Sequence, residues 1–411
     1  MHPIDLMRPD PQKHSMTEVF KGNFTQQEPI PDEGIAAALK VMRHGRLHRY
    51  NLAEDEVGEA ALLEQEFAAF TGAKYALAVT SGGYAMATAL RAAGVKPGDH
   101  VLTNAFTLAP VPGAIASVGA VPIFVGVTQT LTIDLEDLRT KADQADVLML
   151  SHMRGHLCDM DALMAICDVA GITVIEDCAH TMGAAWREVP SGRHGLIGCY
   201  STQTYKHLNS GEGGFFITDD DEVMARAVIL SGSYMLYGRH GTVPPEEVFE
   251  RVKYDTPNVS GRMDNLRAAI LRPQLAGLEA QCLAWNARYR VVEEGLRGTP
   301  GLTLVARPEG EKFVGSSIQF LLLDWEEQAI SQVLKRCLAR GVELKWFGGA
   351  EPTGFTSRYD SWRYAPCEKM PKTDRILQGI LDMRLPLTFS LEDCALITGI
   401  IRAEVGAVFQ S

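Results

Sequence analysis

The segment Ser201–Gly214, STQTYKHLNSGEGG, places one lysine between two strand-like runs and follows it with a glycine-rich turn. A lysine that forms an imine must spend part of its time unprotonated. It therefore belongs in a shielded pocket near other positive charge. Ser201, five positions before Lys206, can face the same pocket from the strand end. Upstream, Thr173–His180 (TVIEDCAH) is an apolar strand ending in Glu176 and Asp177, where the carboxyl end of a parallel strand opens into a ligand crevice. A carboxylate there can pair with a protonated pyridine nitrogen and keep the ring able to accept electrons. Further upstream still, Val79–Tyr84 (VTSGGY) runs strand, small residues, helix. That is how backbone amides and a helix dipole cradle a phosphate.

Each segment alone has an ordinary reading: a solvated surface lysine, an aspartate N-cap, a glycine turn before a helix. Together, in this order and each at a strand end, they supply a phosphate cradle, a ring-nitrogen acid and an imine lysine, the set that holds pyridoxal 5′-phosphate (PLP).

The same residues resemble the DegT–StrS group of fold-type-I, PLP-dependent sugar aminotransferases, from about residue 30 to 405. Glu176-Asp177-Cys178-Ala179-His180 matches the strand that ends in Glu-Asp with His or Gln beyond. Tyr200, Ser201, Lys206 and Gly211-Glu212-Gly213-Gly214 match the lysine motif and its glycine run. His152–Asp161 (HMRGHLCDMD) resembles an H-x-x-G-x-x-x-D-M-D stretch, and Gly261-Arg262-Met263 a cross-subunit segment. The resemblance implies Lys206 as the Schiff-base lysine and proton carrier, Asp177 on the pyridine nitrogen and His180 near the phenolic oxygen. It implies Ser201 and the amides of Gly82, Gly83 and Tyr84 on the phosphate. Arg262 would reach a partner subunit's phosphate, which implies a homodimer. The implied reaction carries an amino group from L-glutamate or L-glutamine to a keto sugar (free, phosphorylated or nucleotide-linked), with ping-pong kinetics. The alternatives are a PLP-dependent sugar dehydratase, since one branch carries histidine in place of the lysine, and a non-catalytic ligand-binding regulator.

The chain departs from the pattern at three places. Gly83 stands where a threonine is usual, Leu108 where an aromatic residue often stacks on the ring, and Gly126 where an acid is usual. Stacking is then aliphatic, or falls to Phe106. A nucleotide would need compensating charge, for which Arg154, Arg239 and His240 are candidates.

Positioning these residues requires an α/β domain. From Tyr75 to Thr218 short apolar runs alternate with helical patterns: strands near Tyr75–Val79, Val101–Leu102, Val121–Val127, Val147–Ser151, Thr173–Ile175, Gly198–Ser201 and Gly214–Thr218. This is the signature of a mainly parallel central sheet. Residues 32–43, 55–70, 219–240 and 260–297 space their apolar groups helically. The pattern then changes, with strands expected at Phe320–Leu323 and Val342–Lys345 and helices at Glu326–Arg340 and Leu391–Val405. The expected division is an N-terminal arm over 1–30, a large PLP-binding domain over 31–297 and a smaller α+β domain over 298–411.

Composition narrows the function class. With 411 residues and a net charge of -12, the chain lacks the basic excess of a nucleic-acid or anionic-membrane surface. The uncharged stretch Val101–Ile133 is broken by Pro110, Pro112 and Pro122 and falls short of the roughly 20 apolar residues of a membrane span. Eight cysteines without a C-x-x-C pair, and no apolar signal segment at the start, fit a cytoplasmic enzyme with free thiols. His152, His156, Cys158, Cys178 and His180 fit no standard zinc spacing, so no metal is expected. No G-x-G-x-x-G supports a dinucleotide site.

Overall fold

The computed structural model describes residues 18–410; the first 17 residues of the expected arm lie outside them. Seven strands form the central sheet: β1 (Tyr75–Val79), β2 (His100–Asn104), β3 (Val121–Val125), β4 (Val147–Ser151), β5 (Thr173–Asp177) and, after the short β6 (Ala185–Trp186) and β7 (Val189–Pro190), β8 (Ile197–Ser201) and β9 (Gly214–Thr218). Their order is β1-β9-β8-β5-β4-β2-β3. Every pairing is parallel except the two made by β9. The carboxyl ends of β1, β4, β5 and β8 therefore open on one edge, which is where the site forms.

These strands are apolar without alternation because both faces are covered. Along β1, Ala76 and Ala78 pack with Leu63 and Phe67 of the helix Glu59–Thr71. Tyr75, Leu77 and Val79 face the opposite layer, against Met86 and Leu90 of the helix Gly82–Ala92.

The second sheet is antiparallel: β10 (Thr303–Leu304), β12 (Ser317–Leu321), β14 (Ile380–Arg384) and β13 (Lys345–Trp346), in that order. β11 (Glu311–Lys312) pairs instead with β6. The long helix Asn265–Leu296 runs between the two sheets' layers, touching both Glu59–Thr71 and Leu391–Phe409. Residues 18–30 pack on this second unit: the buried rings of Phe20 and Phe24 meet Phe389 at 4.9 Å each.

Most expected elements form with ends displaced by a residue or two. The helix expected over 219–240 stops at Leu230, because Gly232 takes φ 103° and Tyr234 and Met235 also enter the left-handed region. The strand expected at Val342–Lys345 shortens to Lys345–Trp346. β14 was not expected: its Asp382 and Arg384 interrupt the apolar run.

Candidate active site

At the end of β5, Asp177 is buried and its carboxylate is fixed on both oxygens. Oδ2 accepts from Ser151 Oγ at 3.0 Å and Oδ1 from the Ala179 amide at 3.1 Å. Ser151 ends β4 and is itself held. Its amide donates to Asn104 Oδ1 at 2.8 Å, its carbonyl accepts from Asn104 Nδ2 at 3.0 Å, and Thr107 Oγ1 donates to its hydroxyl at 2.9 Å. The neighbouring Glu176 points to the other face and is spent structurally. It accepts from His152 Nε2 and from the amides of Gly192, His194 and Gly195, all within 2.9 Å.

Lys206 stands on the loop between β8 and β9, whose ends are tied by Thr202 N to Gly213 O at 2.9 Å and Ser210 N to Thr202 O at 3.0 Å. Its own amide donates to Gln203 O at 2.8 Å. Its amine lies 2.9 Å from His180 Nε2. Burial, then the Arg154 cation, pull the Lys206 amine down to about 7 against the opposing pull of Asp177. Burial, then Lys206 itself, hold His180 well below its usual value. A neutral His180 therefore accepts the hydrogen bond that Lys206 donates.

The third component is the turn at Ser81–Gly83. Ser81 caps the helix Gly82–Ala92, its hydroxyl accepting from the Tyr84 amide at 3.0 Å. The amides of Gly82 and Gly83 donate to no group among the described residues, as expected of a first helical turn. The turn sits so tightly on the sheet that glycine is required. A Cβ on Gly82 would meet Ser201 Cβ at 2.9 Å, and one on Gly214 would meet Gly82 N at 2.7 Å. Ser201 is thereby brought beside the two open amides.

A cavity of about 480 Å³ joins these groups. Gly82, Gly83, Leu108, Asp177, His180, Ser201 and Lys206 all line it. Leu108 faces in, whereas Phe106 is buried against Phe347 at 5.1 Å. The sequence reading missed Met86, Gln203, Phe355 and Trp362, which complete the walls; Met86 and Gln203 sit beside the phosphate turn and Lys206 without a distinctive residue type, and Phe355 and Trp362 arrive from a distant loop without a motif.

Tyr84 lies elsewhere, and Arg262, expected at a partner subunit's phosphate, lies at the sheet edge. The Tyr84 amide is taken by Ser81 and its hydroxyl donates to Leu230 O at 2.7 Å. Arg262 bridges to Val79 at the sheet edge. Its guanidinium donates to Gly232 O at 2.7 Å and Ser260 Oγ at 3.0 Å and lies over the Tyr234 ring, outside its own chain's cavity. Of the candidates for compensating a nucleotide's charge, Arg239 donates to Tyr50 O and His240 is buried against Tyr50 and Glu64. Arg154, the third candidate, pairs with Asp382, and none of the three lines the cavity.

His152, Glu176 and Cys178 bring ligand atoms within 4.8 Å of one another. Both Glu176 oxygens already accept two hydrogen bonds each, and burial, then Glu176, raise the Cys178 thiol far above its usual value. A thiol that stays protonated is a poor metal ligand.

The donor set fits PLP: two open amides and a serine hydroxyl for a phosphate, a fixed carboxylate for a ring nitrogen, and an amine of low basicity for an aldehyde. The comparisons point the same way. A Micromonospora echinospora protein with the provisional name L-glutamine:3-amino-2,3-dideoxy-scyllo-inosose aminotransferase is 32% identical over 288 residues, 68% of this chain and 66% of that protein. The spore coat polysaccharide biosynthesis protein SpsC of Bacillus subtilis is 34% identical over 226 residues, 53% of this chain and 56% of its own length. The chain thus matches at most about two thirds of these relatives' length. The crystal structure of 3-amino-5-hydroxybenzoic acid synthase superimposes with a TM-score of 0.80 at 25% identity, covering 94% of this chain and 99% of that one. The DegT/DnrJ/EryC1/StrS aminotransferase profile matches residues 32–402, so the chain belongs to that family.

Proposed function

We propose that the protein is a PLP-dependent aminotransferase that moves an amino group from L-glutamate or L-glutamine to a keto sugar. The observation that carries this reading is the Lys206 amine, drawn down to about 7 and facing the same cavity as Asp177 and the open amides. When bound, PLP supplies an electron sink for the charge left when a proton leaves the donor's α-carbon. Asp177, locked by Ser151 and Ala179, would keep a proton on the ring nitrogen. Gly82, Gly83 and Ser201 would hold the phosphate, and Leu108 would pack on the ring. Lys206 Nζ would take the α-proton and give it back, and His180 would orient that amine by accepting from it. Donor and acceptor would use the cavity in turn, giving ping-pong kinetics.

Trp362 and Phe355, with Thr356 and Ser357, line the cavity; apolar faces with a few polar groups suit a sugar. The dehydratase reading gains nothing from His207. That ring packs on Trp285, with Nε2 3.0 Å from Ser316 Oγ, and does not line the cavity. A regulator would not need an amine of such low basicity.

The same proposal includes a homodimer sharing its sites, supported by Arg262 and by the exposed Tyr234 and Met235 beside it. It also includes a PLP-binding part over 31–297 with a smaller part over 298–411, and a cytoplasmic location. The last is supported by eight free cysteines; no helix among the described residues is long and apolar enough to cross a membrane. Replacing Lys206 with Ala should lower kcat at least about a hundredfold, the lower range for losing a proton-transfer group. Retained full turnover would refute the mechanism.

A further inference from the structure

Arg154 is a non-glycine residue in the left-handed region (φ 56°, ψ 23°), a backbone state that persists only where its surroundings enforce it. Its side chain is 7% exposed and touches one carboxylate, Asp382 Oδ2, at 3.0 Å. That contact, made by Nη2, lacks hydrogen-bond geometry, and Nε has no hydrogen-bond acceptor among the described residues. Asp382 is already engaged by Gln319 Nε2 at 2.7 Å on the other oxygen. Two more cations share that face of the second sheet. Lys345 lies directly opposite Asp382 in the β13–β14 register, and Arg384 follows two residues along β14, on the same side of the pleat.

Neither Lys345 nor Arg384 has an ion pair among the described residues. Lys345 Nζ lies 5.0 Å from the centre of the Phe355 ring. Arg384 stacks over Tyr205 at 4.0 Å, and in the amide orientation that satisfies both its neighbours Gln27 accepts from it at 2.9 Å. Glu343 and Glu28 act on Lys345 and Arg384 only at longer range. Three cations thus face one carboxylate in a half-buried place, and burial, then Arg154, draw the Lys345 amine down to about 8. Such crowding is unfavourable unless an anion completes it.

The cluster adjoins the cavity. Met153, next to Arg154, and Phe355, against Lys345, line it, and Tyr205 precedes Lys206. None of the three cations lines the cavity itself, but the positive charge of each acts on the Lys206 amine. The phosphate cradle at Gly82 and Ser201 is a separate group of donors.

We propose that Arg154, Lys345 and Arg384 form a carboxylate subsite that receives the α-carboxylate of the amino donor. That carboxylate is bonded to the carbon whose proton Lys206 exchanges, so it must lie close to the Lys206 amine, on the side where Arg384 stacks over Tyr205 and Lys345 meets Phe355. Assigning it to the donor rests on the aminotransferase reading. The cation cluster as an anion site does not.

The test has two arms on the protein as purified with PLP. Calorimetric titration with glutarate, which has glutamate's carboxylates without its amine, should show binding that weakens about tenfold or more in Lys345→Gln and in Arg384→Gln, the range for a charged hydrogen bond. In rapid mixing, L-glutamine should discharge the cofactor far faster than 4-aminobutanamide, the same molecule without its α-carboxylate, and the variants should collapse that ratio. Lys345→Gln, which loses no ion pair, should melt at or above the wild-type temperature. Absent glutarate binding, unchanged binding in both variants, or unfolding of Lys345→Gln would overturn the subsite. A rise confined to the KM of an acidic keto acceptor, with glutamine discharge unchanged, would overturn the donor assignment. Protein that never takes up PLP would sink the aminotransferase reading, while glutarate calorimetry still judged the cluster.

Discussion

Lys206 has its chemistry set by its surroundings, and this makes its pH behaviour testable. In cofactor-free protein burial and the Arg154 cation draw the amine down to about 7, so it should be protonated below that pH and neutral above. The rate at which added PLP is captured, followed by absorbance, should rise through pH 7 and level off above it. A rate still climbing above pH 9 would show an ordinary lysine. Asp177 depends in turn on Ser151. Ser151→Ala removes one hydrogen bond to a carboxylate, worth about 1.5–3 kcal/mol. Turnover should fall about ten- to a hundredfold while PLP is retained; unchanged turnover would mean that Ser151 does not hold Asp177 for catalysis. Asp177, Ser201 and the glycine turn were legible because each sits at a strand end within a short motif, and Lys206 because it follows Ser201 at a fixed spacing before a glycine run. Arg384 and Lys345 were not, since no local pattern carries them and only the pairing of β13 with β14 brings them to Arg154.

At the scale of elements, the helix Gly82–Ala92 is positioned by contact with β8 and β9 rather than by its own propensity. Gly214→Ala would push a methyl into the backbone of Ser81 and Gly82. Overpacking of this kind costs about 1–3 kcal/mol, and the displaced turn should also weaken PLP binding. Thermal melting and cofactor titration would check both; wild-type affinity would show that the turn does not hold the phosphate. A second element depends on charge. Arg49 and Glu64 make a buried bidentate pair at 2.9 Å on both arms, and Glu64 also accepts from the amides of Ala78 and Gly241. Burial pushes the Glu64 carboxyl up, but Arg49 and His240 overcome it and hold it well below the usual range. Arg49→Ala removes the cation paired with that buried carboxylate and should cost about 3–5 kcal/mol, read as a lower melting temperature. The alternation of strands and helices over 75–218 was readable because buried parallel strands are uniformly apolar. β14 escaped because its site-facing positions are Asp382 and Arg384, so the face that would read as apolar in an ordinary strand is charged. The helix end at Leu230 escaped because Tyr234 and Met235 keep an apolar spacing after the backbone has left the helix.

For the whole molecule, the sheet's carboxyl edge and the loop carrying Phe355 and Trp362 converge on one cavity, which explains why motifs spread over more than a hundred residues form a single site. The edge segment at Arg262 turns away from it, so the homodimer has its own test. Sedimentation should give twice the chain mass, and Arg262→Ala should weaken PLP affinity without lowering the melting temperature of the cofactor-free protein. A monomer with full PLP affinity would remove Arg262 from the site. The most direct test of the aminotransferase reading is the visible absorption spectrum of the purified protein before and after L-glutamate or L-glutamine, beside Lys206→Ala. A cofactor band that fades with the amino donor, returns with a keto sugar, and in Lys206→Ala is not the native one is the expected result. A band indifferent to every amino donor, or none even after PLP is added, would contradict it.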